Sequence, residues 1–132
     1  MKLEFLPDLT AGGRYKHVVS EKLIRLYDFT SSEASRLRTA ILEKVINHNQ
    51  TLSLSSLDFI QPLNCNLSFR ISSEGAGIST ADGKALVLDQ TIEQYKHMIY
   101  LMEPFCESES SGYQWLIDGG DIDLLFSPSG KW

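Results

Sequence analysis

Two segments of the chain carry both the start signal and the apolar spacing of a helix. Residues 30–33 and 91–94, Thr-Ser-Ser-Glu and Thr-Ile-Glu-Gln, match the capping box, in which two side chains satisfy the first free backbone amides of a helix. Apolar residues then recur every three or four positions, so we expect one helix over residues 31–47. The second helix is expected to end near Glu103, because Pro104 interrupts its pattern.

Strand-like segments surround both helices. Several of them alternate apolar and polar residues, and turn residues bound them. The dipeptide Asp82-Gly83 predicts a two-residue type I′ turn, and the sequence Asp-Gly-Gly-Asp at 118–121 predicts a second hairpin. Strands are expected at residues 3–5, 18–29, 51–60, 65–71, 78–81, 84–88, 113–117 and 122–126.

The order of these elements predicts an α+β fold with two helices packed on a mostly antiparallel sheet. Strand, helix, strand, strand occurs over residues 18–71 and again over 84–126, which is compatible with a duplicated βαββ unit. At an offset of 61 the two copies share few identities, among them Thr30 and Thr91. An ordinary two-layer α+β domain repeats the same order without duplication, so both interpretations stay open.

Length and composition predict one self-sufficient domain over residues 1–132. A chain of 132 residues has an ordinary single-domain size and can bury about two thirds of its unfolded surface. Apolar residues make up 42% and charged residues 22%, far from the composition of disordered chains. We therefore expect the chain to fold unaided.

The composition favours a cytoplasmic protein with neither a membrane nor a nucleic-acid partner. No apolar run approaches the roughly 20 residues that cross a bilayer, and the first residues lack the apolar region of a signal peptide. The net charge is −5, and no stripe of lysine and arginine is visible, which argues against binding DNA or RNA. Cys65 and Cys106 have no CxxC spacing and are expected to be free thiols.

The best candidate for a ligand site is the segment Gly-Gly-Arg-Tyr-Lys-His at residues 12–17. Its glycine backbone and the side chains of Arg14, Lys16 and His17 could hold an anion through amides and cationic groups. A solvated connection between two strands uses the same residue types. Two interpretations of the segment therefore stay open: a solvated loop, or the mouth of a ligand pocket between helix and sheet.

No catalytic residue, metal site or cofactor is predicted. The motifs HExxH, Gly-x-Ser-x-Gly, the Walker loop and GxGxxG are all absent. Three aspartates around one turn, Asp118, Asp121 and Asp123, could hold a hard cation such as Ca²⁺, but they lack the EF-hand spacing and are also common turn residues. The absence of these motifs favours a protein without enzymatic activity, and an enzyme stays the alternative.

The favoured function is therefore a small cytoplasmic protein-interaction module without catalytic activity. Residues 122–126 are nearly all apolar, and a strand of this kind at a sheet edge must be paired or covered. We expect a homodimer or a protein partner that contacts Leu124, Phe126 and Trp132, since an exposed aromatic is typical of interfaces. The alternative is a small-ligand binder or enzyme whose pocket lies near Arg14, Lys16 and His17.

Overall fold

The computed structural model of the protein describes residues 1–7, 22–109 and 111–132. Helix α1 (Ser31–Ala40) continues into a π-helical turn (Ile41–Ile46), and α2 is Ile92–Glu107. A 3₁₀ turn lies at Leu54–Ser56. The strands are β1 (Lys2–Leu6), β2 (Leu23–Tyr27), β3 (Leu52–Ser53), β4 (Gln61–Pro62), β5 (Asn66–Ile71), β6 (Gly77–Thr80), β7 (Ala85–Gln90), β8 (Gln114–Ile117) and β9 (Asp123–Ser127).

The strands form two mixed sheets in place of the single, mostly antiparallel sheet that the sequence predicts. The first sheet has five strands in the order β4-β1-β2-β9-β8, and the second has four in the order β3-β5-β7-β6. Antiparallel pairs alternate with the parallel pairs β1–β4, β2–β9 and β5–β7. The α+β class with two helices is confirmed.

The structure does not confirm a duplicated βαββ unit, but the two sheets share one pattern of strand pairing. The run β1-β2-β9-β8 has antiparallel, parallel and antiparallel contacts in turn, and β6-β7-β5-β3 repeats them. Helix α1 follows β2 as α2 follows β7. The sheets differ in β4, which lies beside β1 and has no counterpart beside β6 among the described strands.

One continuous apolar core joins both helices to the inner faces of both sheets. The predicted stripe of α1, with Ala34, Leu37, Ile41 and Val45, has no solvent exposure. On α2 the buried residues are Tyr95, Met98, Ile99, Met102 and Phe105. The spacing of apolar residues therefore predicted the buried face of each helix correctly.

Both helices begin at the predicted capping boxes. The Thr30 hydroxyl accepts the Glu33 amide at 3.2 Å, and the Glu33 carboxylate accepts the Thr30 amide at 3.1 Å. Thr91 and Gln94 make the same exchange at 3.2 and 2.9 Å. Because each box satisfies two amides that have no partner inside the helix, it fixes the first turn.

The prediction that α2 ends near Glu103 is wrong, because the helix continues through Pro104 to Glu107. Proline removes one helical hydrogen bond, but the next residue, Phe105, is buried and packs edge-on against Phe126. This burial offsets the lost bond. Neither helix in the described part of the chain is long and apolar enough to span a bilayer.

The strand predicted over residues 51–60 is mostly wrong, because only β3 is extended and a 3₁₀ turn follows it. The Asn66 side chain accepts the Ser55 amide at 3.1 Å and donates to the Ser53 hydroxyl at 2.9 Å. The Ser56 hydroxyl donates to the Ser53 carbonyl at 2.6 Å. Serine and asparagine side chains thus replace the ladder bonds of a longer strand.

The hairpin of β6 and β7 is confirmed, but its two-residue type I′ turn is wrong. Four residues, 81–84, connect the strands, and Gly83 at φ 74° has the positive φ that a type I′ turn requires at both central positions, whereas Asp82 does not. The Asp82 carboxylate instead accepts the amides of Lys84 and Ala85, at 2.9 and 3.0 Å. This side-chain cap lengthens the turn.

The hairpin of β8 and β9 is confirmed as an antiparallel pair, but β9 is an interior strand and not an edge. It lies between β2 and β8, so its apolar residues are covered by the chain's own core. The strand predicted over residues 18–29 is found as β2, and Asp28 ends it with a φ of 54°. Residues 18–21 of that prediction lie outside the described part of the chain.

Candidate functional site

A cleft of about 620 Å³ opens at the start of α2. Its lining comes from residues 75–78 at the start of β6, from residues 116–122 in the β8–β9 hairpin, and from Gln90, Glu93, Gln94 and His97 at the end of β7 and the start of α2. Strands β6 and β8 are the last strands of their sheets on this side. The cleft therefore lies between the edges of the two sheets, where a ligand meets both.

One wall of the cleft is fixed by close contact between Gly75 and the α2 capping box. A Cβ atom on Gly75 would lie 2.2 Å from Gln94 Oε1, the atom that accepts the Thr91 amide. Gly75 has a φ of +62°, and its amide donates to the Ser72 hydroxyl at 3.0 Å. A Cβ here would push the Gln94 amide away from the Thr91 amide, and the positive φ also favours glycine.

The floor of the cleft is apolar except for Gln90. Ile78, Leu116 and Ile122 are 8%, 8% and 5% exposed. Gln90 is 7% exposed, and its amide nitrogen donates to the Met98 thioether at 3.6 Å, a weak acceptor. No described residue donates a hydrogen bond to Gln90 Oε1. Because Gln90 lines the cleft, its amide oxygen is an acceptor that a ligand can use.

The rim of the cleft is acidic. Glu93, Asp118 and Asp121 are exposed carboxylates in its lining, and the described lining contains neither lysine nor arginine. His97 also lines the cleft and stacks on Tyr100, with ring centroids 6.3 Å apart. Carboxylates and the Gln90 oxygen are hydrogen-bond acceptors, so the cleft is chemically suited to an ammonium or guanidinium group.

The cysteine thiols are not activated for chemistry. Burial, with a contribution from Glu4, raises the pKa of Cys65 to about 11, and burial also raises the pKa of Cys106. The Cys106 thiol donates to the Met102 carbonyl at 3.4 Å. Both are free thiols, as expected, and their protonated state at neutral pH makes them poor nucleophiles.

The ligand site predicted at Arg14, Lys16 and His17 lies outside the described residues. The predicted interface residues are found in the last part of the chain. Leu124 and Phe126 have no solvent exposure, because they pack in the core of their own chain. Trp132 is 40% exposed, so it is the one member of this set that presents an accessible side chain.

The homodimer stays a prediction, but part of its reasoning is corrected. The expectation that β9 needs a partner at an open edge is wrong, because β2 and β8 flank it. The exposed Trp132 side chain still offers an apolar contact. Light scattering tests the prediction directly, since a dimer has twice the 14.9 kDa mass of the chain.

The three aspartates of the β8–β9 turn do not form one cluster. Asp118 and Asp121 are exposed at the cleft rim, whereas Asp123 is 2% exposed within β9. Across the described residues, no group of three histidine, cysteine or acidic side chains is placed to hold a metal ion. The turn thus contributes two carboxylates to the cleft.

The arginines of two smaller cavities are already paired with aspartates. Arg70 and Asp89, which line a cavity of about 410 Å³, form a two-point ion pair across β5 and β7. A hollow of about 330 Å³ beside α1 contains Arg36, which binds Asp58 at 2.8 Å. The cleft at α2 is therefore the stronger candidate among the described cavities.

Sequence reasoning missed Gln90, Glu93 and Gly75 as site residues. A usable pattern was present for Gln90, because Leu86, Leu88 and Gln90 share the inner face of β7. A glutamine in place of an apolar residue at the end of such a series indicates a polar site. The approach of Gly75 to Gln94 depends on the tertiary fold, so no local pattern indicated it.

Comparison with known proteins adds no family to this description. No protein-family model matches the chain, and no curated protein matches it.

Proposed function

We propose that the protein is a cytoplasmic interaction module, without catalytic activity, that binds a positively charged segment of a partner protein in the cleft at α2. The observation that carries this proposal is Gln90, a polar side chain in an apolar floor, which lines the cleft and presents a hydrogen-bond acceptor to it. A donor on a ligand in the cleft can reach this oxygen. Asp118 and Asp121 favour a donor with positive charge.

The size and lining of the cleft support a peptide side chain as the occupant. A volume of about 620 Å³ is within the usual range of ligand sites and exceeds the volume of one arginine or lysine side chain. Ile78, Leu116 and Ile122 can cover the aliphatic stem, while the acidic rim meets the charged head. Apolar floor and acidic rim together suit a long basic side chain.

The described cleft lining contains no activated nucleophile, which supports a binding function over catalysis. Both thiols have a raised pKa, and the described cleft lining contains no cysteine and no serine. The described lining has one imidazole, that of His97, and its ring stacks on Tyr100. Catalysis by a nucleophile with an adjacent base needs a pair that the described lining does not offer.

A peptide-binding assay tests the proposal. The probe is a fluorescein-labelled hexapeptide of alternating valine and arginine, with a valine–glutamine hexapeptide for comparison. We expect the arginine probe to bind more tightly than the glutamine probe. The double variant Asp118→Asn with Asp121→Asn should lower the affinity for the arginine probe at least tenfold. The control variant, Glu43→Gln with Glu107→Gln, changes the net charge equally at exposed positions outside the cleft.

The control variant and a small ligand, arginine amide, separate binding in the cleft from general electrostatic attraction. Loss of affinity in the control variant equal to that of the cleft variant would mean that net charge alone attracts the probe, which contradicts the proposal. Equal affinity for arginine amide and for the hexapeptide would identify a small-molecule site, and the interaction module would then be wrong.

A further inference from the structure

Within the described residues, β6 has one edge without a neighbouring strand, and the start of β6 lines the cleft. Among the described strands it pairs with β7 alone, and Gly77 and Ile78 line the cleft. The amides and carbonyls on the outer side of β6 therefore have no ladder partner in the described structure. Edges of this kind accept an added strand readily.

The equivalent edge, that of β1, is covered by the chain itself. Strand β4 runs parallel to β1, with Lys2 opposite Gln61 and Leu3 opposite Pro62. The Gln61 amide donates to the Met1 carbonyl at 2.8 Å, and the Leu63 amide donates to the Leu3 carbonyl at 2.9 Å. Main-chain pairing thus makes β4 the fifth strand of its sheet.

The start of α1 holds this covering segment in place with side chains. The Arg36 guanidinium binds Asp58 at 2.8 Å and lies 4.5 Å from the centre of the Phe59 ring. In α2, the residue at the same helical position is His97, 61 residues later, and it lines the cleft. The two helix starts therefore face equivalent places, of which one is filled by residues 58–63.

Loop length explains why the described part of the chain fills one of these places and not the other. Twelve residues, 54–65, connect β3 to β5, and they supply the covering segment. The equivalent connection, from β8 to β9, has five residues, 118–122, and forms a tight turn. The second half of the chain therefore has no spare segment for the β6 edge within this connection.

We propose that the β6 edge and the cleft together receive one extended strand of a partner protein, parallel to β6 as β4 is parallel to β1. The partner's backbone pairs with β6, and one of its arginine or lysine side chains reaches Gln90, Asp118 and Asp121. This inference rests on the proposed function for the charge of the partner and adds the binding geometry.

The charge of the site distinguishes the partner from a second copy of this chain. At the filled place an arginine of α1 meets an aspartate, whereas the cleft presents acidic groups from its turn and from α2. Residues 51–132 of the chain carry four lysines and arginines against eleven acidic residues. A second copy would bring more negative charge, so a basic segment is the matching occupant.

The chain's own covering segment provides the probe. A blocked heptapeptide with the sequence of residues 57–63 carries Asp58→Arg, which reverses the charge that faces the helix start. N-methylation at its glutamine removes the donor equivalent to the Gln61 amide, and N-methylation at its phenylalanine provides the control, because no described ladder bond uses that amide. We expect the first change to weaken binding at least tenfold and the second to leave it within twofold.

Hydrogen exchange reports the pairing itself. We expect outward amides of β6 to exchange at least tenfold more slowly with the probe bound. A version of the protein with the same segment fused after Trp132 through about 20 glycine and serine residues places the strand at about millimolar effective concentration. Unprotected β6 amides in this fused protein would overturn the strand proposal, even if the free peptide binds too weakly to measure.

The remaining outcomes separate this inference from the proposed function. Binding that depends on Asp118 and Asp121, without β6 protection or an effect of N-methylation, would leave the proposed function standing and refute strand addition. Peptide-free protein with twice the 14.9 kDa mass and concentration-dependent β6 protection would make a second copy the occupant, which contradicts a basic partner at this edge.

Discussion

The ring of Phe105 meets the ring of Phe126 edge-on, with centroids 5.4 Å apart and planes at 86°. This contact ties the last turn of α2 to β9 just after Pro104. We expect Phe105→Ala to lower the free energy of unfolding by about 3 to 5 kcal/mol, since it empties a buried aromatic site. Chemical denaturation measures the loss. Pro104→Ala is the control, because Pro104 is exposed and alanine restores a helical amide.

Glu33 is expected to make stability depend on pH. Burial raises its pKa, but hydrogen bonds from the Met1 amine and from Thr30 outweigh that effect and lower the pKa below its ordinary 4.5. A lowered pKa favours folding when the carboxylate is ionised, so the contribution is complete above about pH 4.5 and is lost as the pH falls through the lowered value.

Denaturation midpoints between pH 3 and pH 7 test this expectation. The Glu33→Gln variant should be less stable than the natural protein at pH 7, and the difference should shrink towards pH 3. Glu43→Gln, at an exposed helix position, should show no such trend. A difference that stays constant with pH would contradict the role of the Glu33 charge.

The extent to which the sequence predicted the structure follows from how local each feature is. Both helix starts were predictable, because the hydrogen bonds of each capping box form within one four-residue segment, 30–33 or 91–94. The end of α2 was not, because the burial of Phe105 depends on β9, which is distant in sequence. Strand β3 stays short because of Asn66, a residue from another strand.

The candidate site was less predictable than the fold. Sequence patterns drew attention to the acidic turn at 118–121 but could not place it opposite the start of α2. The arrangement of strands into two sheets creates the cleft, and long-range strand order is not encoded in local periodicity. The β6 edge is identified as a candidate binding edge by comparison with the β1 edge, beside which β4 lies.

Gly75 and Gly83 form a matched pair for testing the cleft wall. Their φ angles are +62° and +74°, so alanine costs about 1 to 2 kcal/mol of backbone strain at either position. A Cβ on Gly75 would collide with Gln94, whereas nothing lies within 4 Å of one on Gly83. We expect Gly75→Ala to be clearly more destabilising than Gly83→Ala. Gly75→Ala should also lower the affinity for the arginine hexapeptide. Equal losses in thermal denaturation would refute this close contact.

Tyr95 is expected to stabilise the second sheet through its hydroxyl. The oxygen lies 2.9 Å from the Arg70 carbonyl and 2.8 Å from the Leu88 carbonyl, on neighbouring strands, and burial raises the pKa of the phenol. Tyr95→Phe should lower the free energy of unfolding by about 0.5 to 1.5 kcal/mol. Tyr100→Phe should change nothing, because that side chain is 64% exposed. Urea denaturation of the two variants gives the comparison.

Gln90 is expected to trade stability for binding. Its inner-face position follows Leu86 and Leu88, so a leucine fits the apolar floor, and its present donor contact is only a thioether. Gln90→Leu should raise the free energy of unfolding by about 1 kcal/mol, since it replaces a mostly buried amide by an apolar side chain on an apolar floor. The same change should lower the affinity for the arginine hexapeptide at least fivefold, because it removes the hydrogen-bond acceptor of Gln90 from the cleft floor. Gln50→Leu, at an exposed loop position, is the control for both measurements. A variant that gains stability and keeps full affinity would show that Gln90 does not contact the ligand, and one that loses both would show a structural role instead.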